Sequence, residues 1–142
     1  MKSIEVTIFV EPTPKGRPRS TIIAGHVSTY TPKKTRTAEA DIKAAIRHDV
    51  MAVTQLTNVK FTEGQPLRLT AVFFRLRPRS LSKRVIFPVT KPDGNNFESL
   101  LFDALQHYVY PNDSQITTCT WAKRYCAPGQ VPHIRLTIRE DD

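Results

Sequence analysis

Residues 91–115, KPDGNNFESLLFDALQHYVYPNDSQ, decide the fold and most of the chemistry that this sequence suggests. We call residues 93–113 the acidic island. The island contains no lysine or arginine, and its four acidic residues are Asp93, Glu98, Asp103 and Asp113. Turn-forming residues stand at both of its ends, Asp93-Gly94 at the first and Asn112-Asp113-Ser114 at the second.

A helix is predicted between these turns, from about residue 95 to residue 107. Its apolar residues follow the spacing i, i+3, i+4, i+7, i+8 and form one buried stripe of Phe97, Leu100, Leu101, Ala104 and Leu105. Phe102 falls about 130° from the centre of that stripe at 100° per residue. Two alternatives stay open for this ring. It packs under a neighbouring loop or a second subunit, or it stacks on DNA bases.

Outside the island the hydrophobic pattern predicts the element order β-α-β-α-β-β. Residues 4–10, 67–76, 115–126 and 131–139 are predicted strands. Residues 21–34 indicate a hairpin or an irregular excursion. A helix is expected to begin after a cap at Thr35 or Thr37 and to fade near Gln55. We therefore predict an α/β (α+β) protein, a single domain over residues 1–142 in which helices pack on a mixed β-sheet.

Charge is distributed unevenly along the chain. Residues 1–92 hold 17 Lys and Arg against 6 Asp and Glu, whereas residues 93–142 hold 4 against 7, for a net charge of +8. This balance favours a nucleic-acid partner, and a merely solubilising charge is the alternative. No apolar run approaches the roughly 18 residues of a membrane span, so no membrane partner is expected. The first residues lack the pattern of a signal peptide, which predicts a cytoplasmic protein.

The candidate phosphate contacts are cations in proline-containing segments, where proline limits the entropy lost on binding. Arginine reaches phosphate with two parallel hydrogen bonds, so the Arg-Pro-Arg segments are the stronger candidates. Any one of these cations alone is equally well explained as a solvated surface residue. The set comprises Lys15, Arg17, Arg19, Lys33, Lys34, Arg36, Arg77, Arg79, Lys83 and Arg84.

Asp93 and Asp113 are the candidate metal ligands. The helix between them returns the chain across the sheet, so both can lie at one end of it. Converging carboxylates suit Mg²⁺, which prefers oxygen ligands and can activate water beside a phosphodiester. Ordinary turn and cap chemistry is the alternative for both residues. Cys119 and Cys126 lack metal-site spacing and are predicted to be free thiols, so no zinc site is expected.

The segments KPDGNNFESLLFDAL (91–105) and PNDSQI (111–116) resemble the signature of RusA-type Holliday junction resolvases, compact bacterial and phage endonucleases. The segments PTPKGRPR (12–19) and YTPKKTR (30–36) are similar to the phage-type branch of that family. The resemblance spans about residues 4–138. It implies a RusA-like fold and a homodimer that binds four-way or other branched DNA.

The resemblance also implies a mechanism and a site. Members make paired, symmetric, Mg²⁺-dependent cuts during recombination and repair, and Mn²⁺ is an alternative metal. Asp93 matches the first catalytic aspartate and Asp113 the essential aspartate of the second cluster. Asn95 and Asn112 match further metal ligands, in weakened form, and Asn96 matches a helix-capping asparagine. The protein is then expected in the cytoplasm, encoded by a bacterium or a phage.

Three departures from the family pattern bear on activity. Asn95 and Asn112 stand where the pattern has aspartates, and Ser99 stands where it has lysine. An amide oxygen can coordinate Mg²⁺ but brings no negative charge, and the missing lysine removes a cation that steadies phosphate. Glu98, one turn after Asn95, is a candidate replacement carboxylate.

Several explanations of these departures stay open. They are an introduced Asp-to-Asn change at position 95, a slow natural nuclease, and a non-cutting module that binds junctions or another protein. A change at three positions argues against an introduced substitution as the whole account. A metal-free RNA-binding domain is a further alternative, but it predicts aromatic residues interleaved on exposed strands, and Phe9, Phe73 and Phe74 give little of that pattern.

Overall fold

A computed structural model describes residues 3–57 and 61–142 of the chain. In chain order the strands are β1 (Ser3–Ile8), β2 (Arg19–Ile23), β3 (His26–Tyr30), β4 (Leu67–Arg75), β5 (Ile116–Tyr125) and β6 (His133–Glu140). The helices are α1 (Lys33–Thr57) and α2 (Gly94–Leu105), and Asp113–Gln115 form a 3₁₀ turn. Among the described helices, none combines the length and the apolar character needed to cross a membrane.

The main sheet has four strands in the order β1-β6-β4-β5. Strand β6 runs antiparallel to both of its neighbours, while β4 and β5 are parallel and are connected through α2. A parallel pair requires such a crossover, because a tight turn can join only antiparallel strands. The predicted mixed sheet is confirmed.

The core lies on one face of this sheet. Alternate residues of β1, β4 and β6 are buried there, and the intervening residues point to the other face. Both helices cover the buried face, because α1 packs on β1 and on α2, and the ring of Phe97 in α2 lies 5.3 Å from that of Phe73 in β4. The predicted packing of helices on one face is therefore confirmed, and the fold is of the mixed α+β class.

Helix α2 forms where the sequence predicted it and buries the predicted stripe. Phe97, Leu100, Leu101, Ala104 and Leu105 are all buried. The helix is shorter than residues 95–107, because Gln106 is extended and His107 adopts a positive φ of 70°. The chain then turns back at once, and His107 N donates to Tyr110 O at 2.8 Å.

The prediction that α1 begins after a cap at Thr35 or Thr37 is wrong. The helix begins at Lys33, and Arg36 N donates to Pro32 O at 3.1 Å in its first turn. Thr35 is buried and its Oγ1 accepts a hydrogen bond from Gly16 N at 2.8 Å. Thr35 therefore bonds to residues 12–19, which we call the first basic segment, and does not cap its own helix as the local pattern predicted.

Between β1 and α1 the chain forms a separate hairpin. Strands β2 and β3 pair antiparallel with each other in a sheet of their own, and nearly all of their side chains are exposed. Its turn contains Ala24 and Gly25, both with positive φ, as hairpin turns of this length require. Of the two conformations predicted for residues 21–34, the hairpin is the one found.

Candidate functional site

The first end of the acidic island is the N-terminus of α2. Asp93 occupies the N-cap position with extended backbone dihedrals, and its side chain makes no capping hydrogen bond. Its backbone carbonyl accepts from Asn96 N at 3.1 Å, so the backbone alone forms the cap. Asp93 and Asn95 are both exposed. The Asp93 carboxylate is therefore available to a ligand from solvent.

Strand β5 fixes this end of the helix. A Cβ atom added to Gly94 would lie 2.1 Å from the ring of Trp121, so the backbone of α2 rests directly on that side chain. Lys123 Nζ donates to the carbonyls of Thr90 and Pro92, at 3.3 and 3.2 Å. These contacts hold residues 90–94, which contain Asp93, against the middle of β5.

The second end of the island is a tightly bonded turn. Asn112 Oδ1 accepts from Ser114 N at 2.9 Å, and Gln115 Oε1 accepts from Asn112 N at 3.1 Å, which makes a reciprocal capping box. Gln115 Nε2 donates to Thr62 O and Gln65 O, at 2.7 and 3.0 Å. Asp113, half-buried, is the first residue of the 3₁₀ turn and is held in place by this frame.

Lys15 connects the first basic segment to the acidic island. Its backbone N donates to Asn96 O at 3.0 Å, and its Nζ donates to Asp103 Oδ2 at 2.5 Å. The hydrogen bond to Asp103, together with the charges of Asp103, Glu39 and Asp113, raises the pKa of Lys15. The lysine therefore stays protonated and lies in a negative environment that Asp113 shares.

Tyr110 lies beneath the same group of charges. The ring is buried, and its hydroxyl donates to Phe102 O at 3.2 Å. Burial first, and then the charges of Asp113 and Asp103, raise the pKa of Tyr110 well above its usual range. The phenol stays neutral and anchors the chain that returns from α2 to Asp113.

The structure thus brings Lys15, Asp103 and Asp113 into one electrostatic neighbourhood. Asp93 lies at the N-terminus of α2, next to the contact between Gly94 and Trp121. Within residues 3–57 and 61–142, no three or more His, Cys, Asp and Glu side chains are grouped to hold a metal ion. Convergence of Asp93 and Asp113 on one metal stays a prediction.

The charge of Glu98 acts on Cys119 of β5. Burial, with a contribution from the Glu98 charge, raises the pKa of the Cys119 thiol to about 11. Cys119 and Cys126 are both free thiols, as predicted. The replacement of a missing carboxylate by Glu98 is not tested by these contacts and stays a prediction.

Most of the predicted phosphate contacts are exposed. Besides Lys15, two of the DNA-contact candidates, Arg77 and Phe102, also have structural contacts. Arg77 donates to the carbonyls of Cys126, Ser82 and Val85 and so folds its own loop. Phe102 is half-buried and packs against the core of its own chain. Contacts of either with DNA stay predictions. The exposed cations are Lys15, Arg17, Arg19, Lys33, Lys34, Arg36, Arg79, Lys83 and Arg84.

Sequence reasoning missed the partners of Lys15. The sequence identifies Asp103 only as a member of the acidic island and gives no indication that Glu39 lies near Lys15. One signal was present, because Asn96 and Asp103 lie seven positions apart and therefore on the same face of α2. No local sequence pattern indicates that this face bonds to Lys15, which lies 88 positions before Asp103 in the chain.

Comparison with known proteins identifies the family. The family described as endodeoxyribonuclease RusA matches residues 10–139. An uncharacterized protein of Bacillus subtilis (strain 168), YqaN, is 29% identical over 150 aligned positions that cover 99% of this chain and 98% of that protein. The chain therefore belongs to the RusA endodeoxyribonuclease family, a family of Holliday junction resolvase-type endonucleases.

Proposed function

We propose that this chain is a divalent-metal-dependent endodeoxyribonuclease that binds Holliday junctions and other branched DNA and nicks them in symmetric pairs. Mg²⁺ is the proposed metal, with Mn²⁺ as an alternative. The protein acts as a homodimer in recombination and repair. It works in the bacterial cytoplasm and is encoded by a bacterium or a phage. Membership of the RusA family supports the class of reaction and of substrate.

The observation that carries this proposal is the attachment of a basic segment to the acidic helix. Lys15 bonds to Asn96 through its backbone and to Asp103 through its side chain. Arg17 and Arg19 follow it, and both are exposed. A DNA backbone that binds these cations passes beside the carboxylates of the island, where cleavage requires it.

The residues of the island fit a magnesium site that the substrate completes. Mg²⁺ is usually bound through one or two carboxylates together with waters and substrate phosphates, rather than by a full cage of protein ligands. Asp93 has a solvent-facing carboxylate without a capping hydrogen bond, and every other candidate ligand is an oxygen. Asp93 and Asp113 would hold the metal, with Asn95 and Asn112 as neutral partners.

The bound metal would activate a water and stabilise the leaving oxygen of the phosphodiester. The chain's own side chains bind and position the DNA. Lys15 neutralises Asp103 next to Asp113 and so lowers the repulsion that an incoming phosphate meets. The exposed arginines and lysines of the basic segments hold the sugar-phosphate backbone.

A homodimer suits the substrate. A four-way junction presents two equivalent strands, and a two-fold dimer places one subunit on each. Paired, symmetric nicks then follow from the symmetry of the complex.

A non-cutting junction-binding module is the second candidate, and one observation favours it. The Asn112 side chain, at one of the positions where the family has aspartate, is already committed to a capping box. With Asn95 and Ser99 also departing from the pattern, the site has fewer charges for a metal than the family signature.

The test is cleavage of a labelled four-way junction with Mg²⁺, with Mn²⁺ and with a chelator. The unchanged protein is compared with the Asn95→Asp variant, and junction binding is measured in the chelator arm. Metal-dependent nicking by both proteins supports the nuclease. Nicking by Asn95→Asp alone identifies a binder whose site can be restored, and binding without nicking by either protein identifies the module. A protein that neither binds nor nicks the junction contradicts both candidates.

A further inference from the structure

The face of the main sheet opposite the helices carries a regular polar pattern. Strand register aligns Glu5, Thr137, Thr70 and Thr120 in one row across all four strands. The next row on one side contains Arg139 and Arg68, and the next on the other side contains Arg135. We call these three rows, together with Arg124 on β5 in the row beyond Arg135, the open face.

The open face is accessible in the described part of the chain. Glu5, Thr70, Thr120 and Arg135 are exposed, and both helices pack on the opposite side of the sheet. The hydroxyls and guanidinium groups of this face are the kinds of donor that proteins use on DNA phosphates.

Aromatic rings hold two of its arginines in place. The guanidinium carbon of Arg135 lies 5.1 Å from the centroid of the Phe74 ring, and that of Arg124 lies 4.6 Å from the Phe87 ring. Stacking of this kind orders a long side chain before a ligand arrives and so lowers the entropic cost of binding.

Arg68 offers no net charge to a ligand, because its guanidinium group is already paired with Asp141. Its Nε and Nη2 donate to Asp141 Oδ1 at 3.1 and 2.8 Å. The positive charge offered to a ligand is therefore concentrated around Arg135 and Arg124, on the side of the threonine row that lies away from Asp141. One acid, Glu5, stands at the end of that row.

We infer that the open face binds the sugar-phosphate backbone of a second stretch of the branched DNA. The inference rests on the proposed function for the identity of the polyanion. It adds a binding surface on the side of the sheet away from the acidic island and its helices. A branched substrate has several arms, so backbone is available on more than one side of a bound protein.

The charge of the face argues against a second copy of this chain as its occupant. A two-fold contact through this face would bring the arginines of one copy toward those of the other, and like charges placed together in an interface oppose association. A polyanion faces no such penalty.

The test uses three single substitutions and the labelled four-way junction, with divalent metal chelated. Arg135→Gln removes a charge from the open face, and Glu5→Gln removes the opposing one. Arg47→Gln is the matched control, because Arg47 is also an exposed arginine over an aromatic ring, that of Tyr108, but lies on α1. Dissociation constants are measured at several salt concentrations between roughly 50 and 200 mM.

The slope of log K against log salt is negative, and each lost phosphate contact reduces its magnitude by about 0.9. Between roughly 50 and 200 mM salt the affinity of such a variant therefore falls about threefold less than that of the unchanged protein. Arg135→Gln is expected to show this smaller slope. Glu5→Gln is expected to bind the junction more tightly, and Arg47→Gln is expected to keep the slope of the unchanged protein. An unchanged slope for Arg135→Gln overturns the inference. A change of mass in sedimentation for Arg135→Gln also overturns it, because the face is then an interface between copies.

Cleavage by the unchanged protein separates this inference from the proposed function. A protein that nicks junctions normally while Arg135→Gln binds like the unchanged chain refutes the open face alone. A protein that never nicks, but whose Arg135→Gln variant loses a phosphate contact, refutes the nuclease and leaves the second surface established.

Discussion

At the scale of single residues, the pair Lys15–Asp103 controls the charge beside Asp113. The two side chains are 41% and 35% exposed, so their ion pair contributes little to folding stability, at most about 1 kcal/mol. Its main consequence is electrostatic. If Lys15 is removed, an approaching phosphate is repelled by three uncompensated acids, Asp103, Glu39 and Asp113.

A double-mutant cycle tests that role. Lys15→Ala is expected to weaken junction binding several-fold, and Asp103→Asn to strengthen it, because they change the local charge by −1 and +1. The double variant restores the local charge and is expected to bind nearly as tightly as the unchanged chain. Melting temperatures should stay close throughout. Weaker binding by Asp103→Asn would show instead that the aspartate positions Lys15 on the DNA.

Asp141 is the residue whose titration the structure ties most directly to stability. Hydrogen bonds from the hydroxyls of Thr117 and Thr118, each 2.6 Å, and from Arg68 lower the pKa of this carboxyl from 3.8 to about 2. A depressed pKa in the folded state means that the carboxylate stabilises the fold above pH 3.8. That contribution is lost as the pH falls toward 2.

Asp141→Asn should therefore lower the melting temperature at pH 6. The difference from the unchanged protein should shrink steeply as the pH falls from 3.8 to about 2 and vanish below that pH. Thermal unfolding followed by circular dichroism across this range measures it. Asp142→Asn, an exposed neighbour, is the control and should change neither curve. A difference in melting temperature between Asp141→Asn and the unchanged protein that is as large at pH 2 as at pH 6 would contradict this role of Asp141.

At the scale of elements, α2 is placed by close contact between its backbone and β5. Gly94 is buried against the ring of Trp121, with no room for a Cβ. Alanine favours a helix over glycine by about 1 kcal/mol, so propensity and packing predict opposite signs at this position. The contact should decide, because overpacking costs about 1–3 kcal/mol.

Gly94→Ala is accordingly expected to destabilise the protein by up to about 2 kcal/mol net. In a Trp121→Ala background, where the ring is gone, the same substitution should be neutral or stabilising. Chemical denaturation of the unchanged protein, the two single variants and the double variant gives the coupling free energy between positions 94 and 121. Equal effects of Gly94→Ala in both backgrounds would show that the ring of Trp121 does not set the position of α2.

The elements also show what the sequence can and cannot predict. Helix α2 was predicted nearly to the residue because its stripe is spaced at helical period and is fully buried. The start of α1 was missed because Thr35 bonds to Gly16, 19 positions away, rather than to its own helix. Local pattern reports local structure, and it fails where a tertiary contact recruits the same side chain.

At the scale of the whole molecule, the candidate site is only partly predictable for the same reason. The charge asymmetry and the signature segments indicated the family and the acidic residues. They did not indicate that Lys15 bonds to Asp103, or that Gly94 rests on the ring of Trp121, because both contacts depend on how α2 crosses the sheet.

The whole-molecule account depends on Asp93 and Asp113 acting in one metal-dependent reaction. Nicking of a four-way junction by Asp93→Asn and by Asp113→Asn, beside the unchanged protein, tests this most directly. With Mg²⁺ or Mn²⁺ the unchanged protein is expected to nick. Each variant is expected to bind the junction at least as tightly in chelator and to lose nicking by at least about a hundredfold. Nicking by either variant at the unchanged rate, or nicking by the unchanged protein in chelator, would contradict the account.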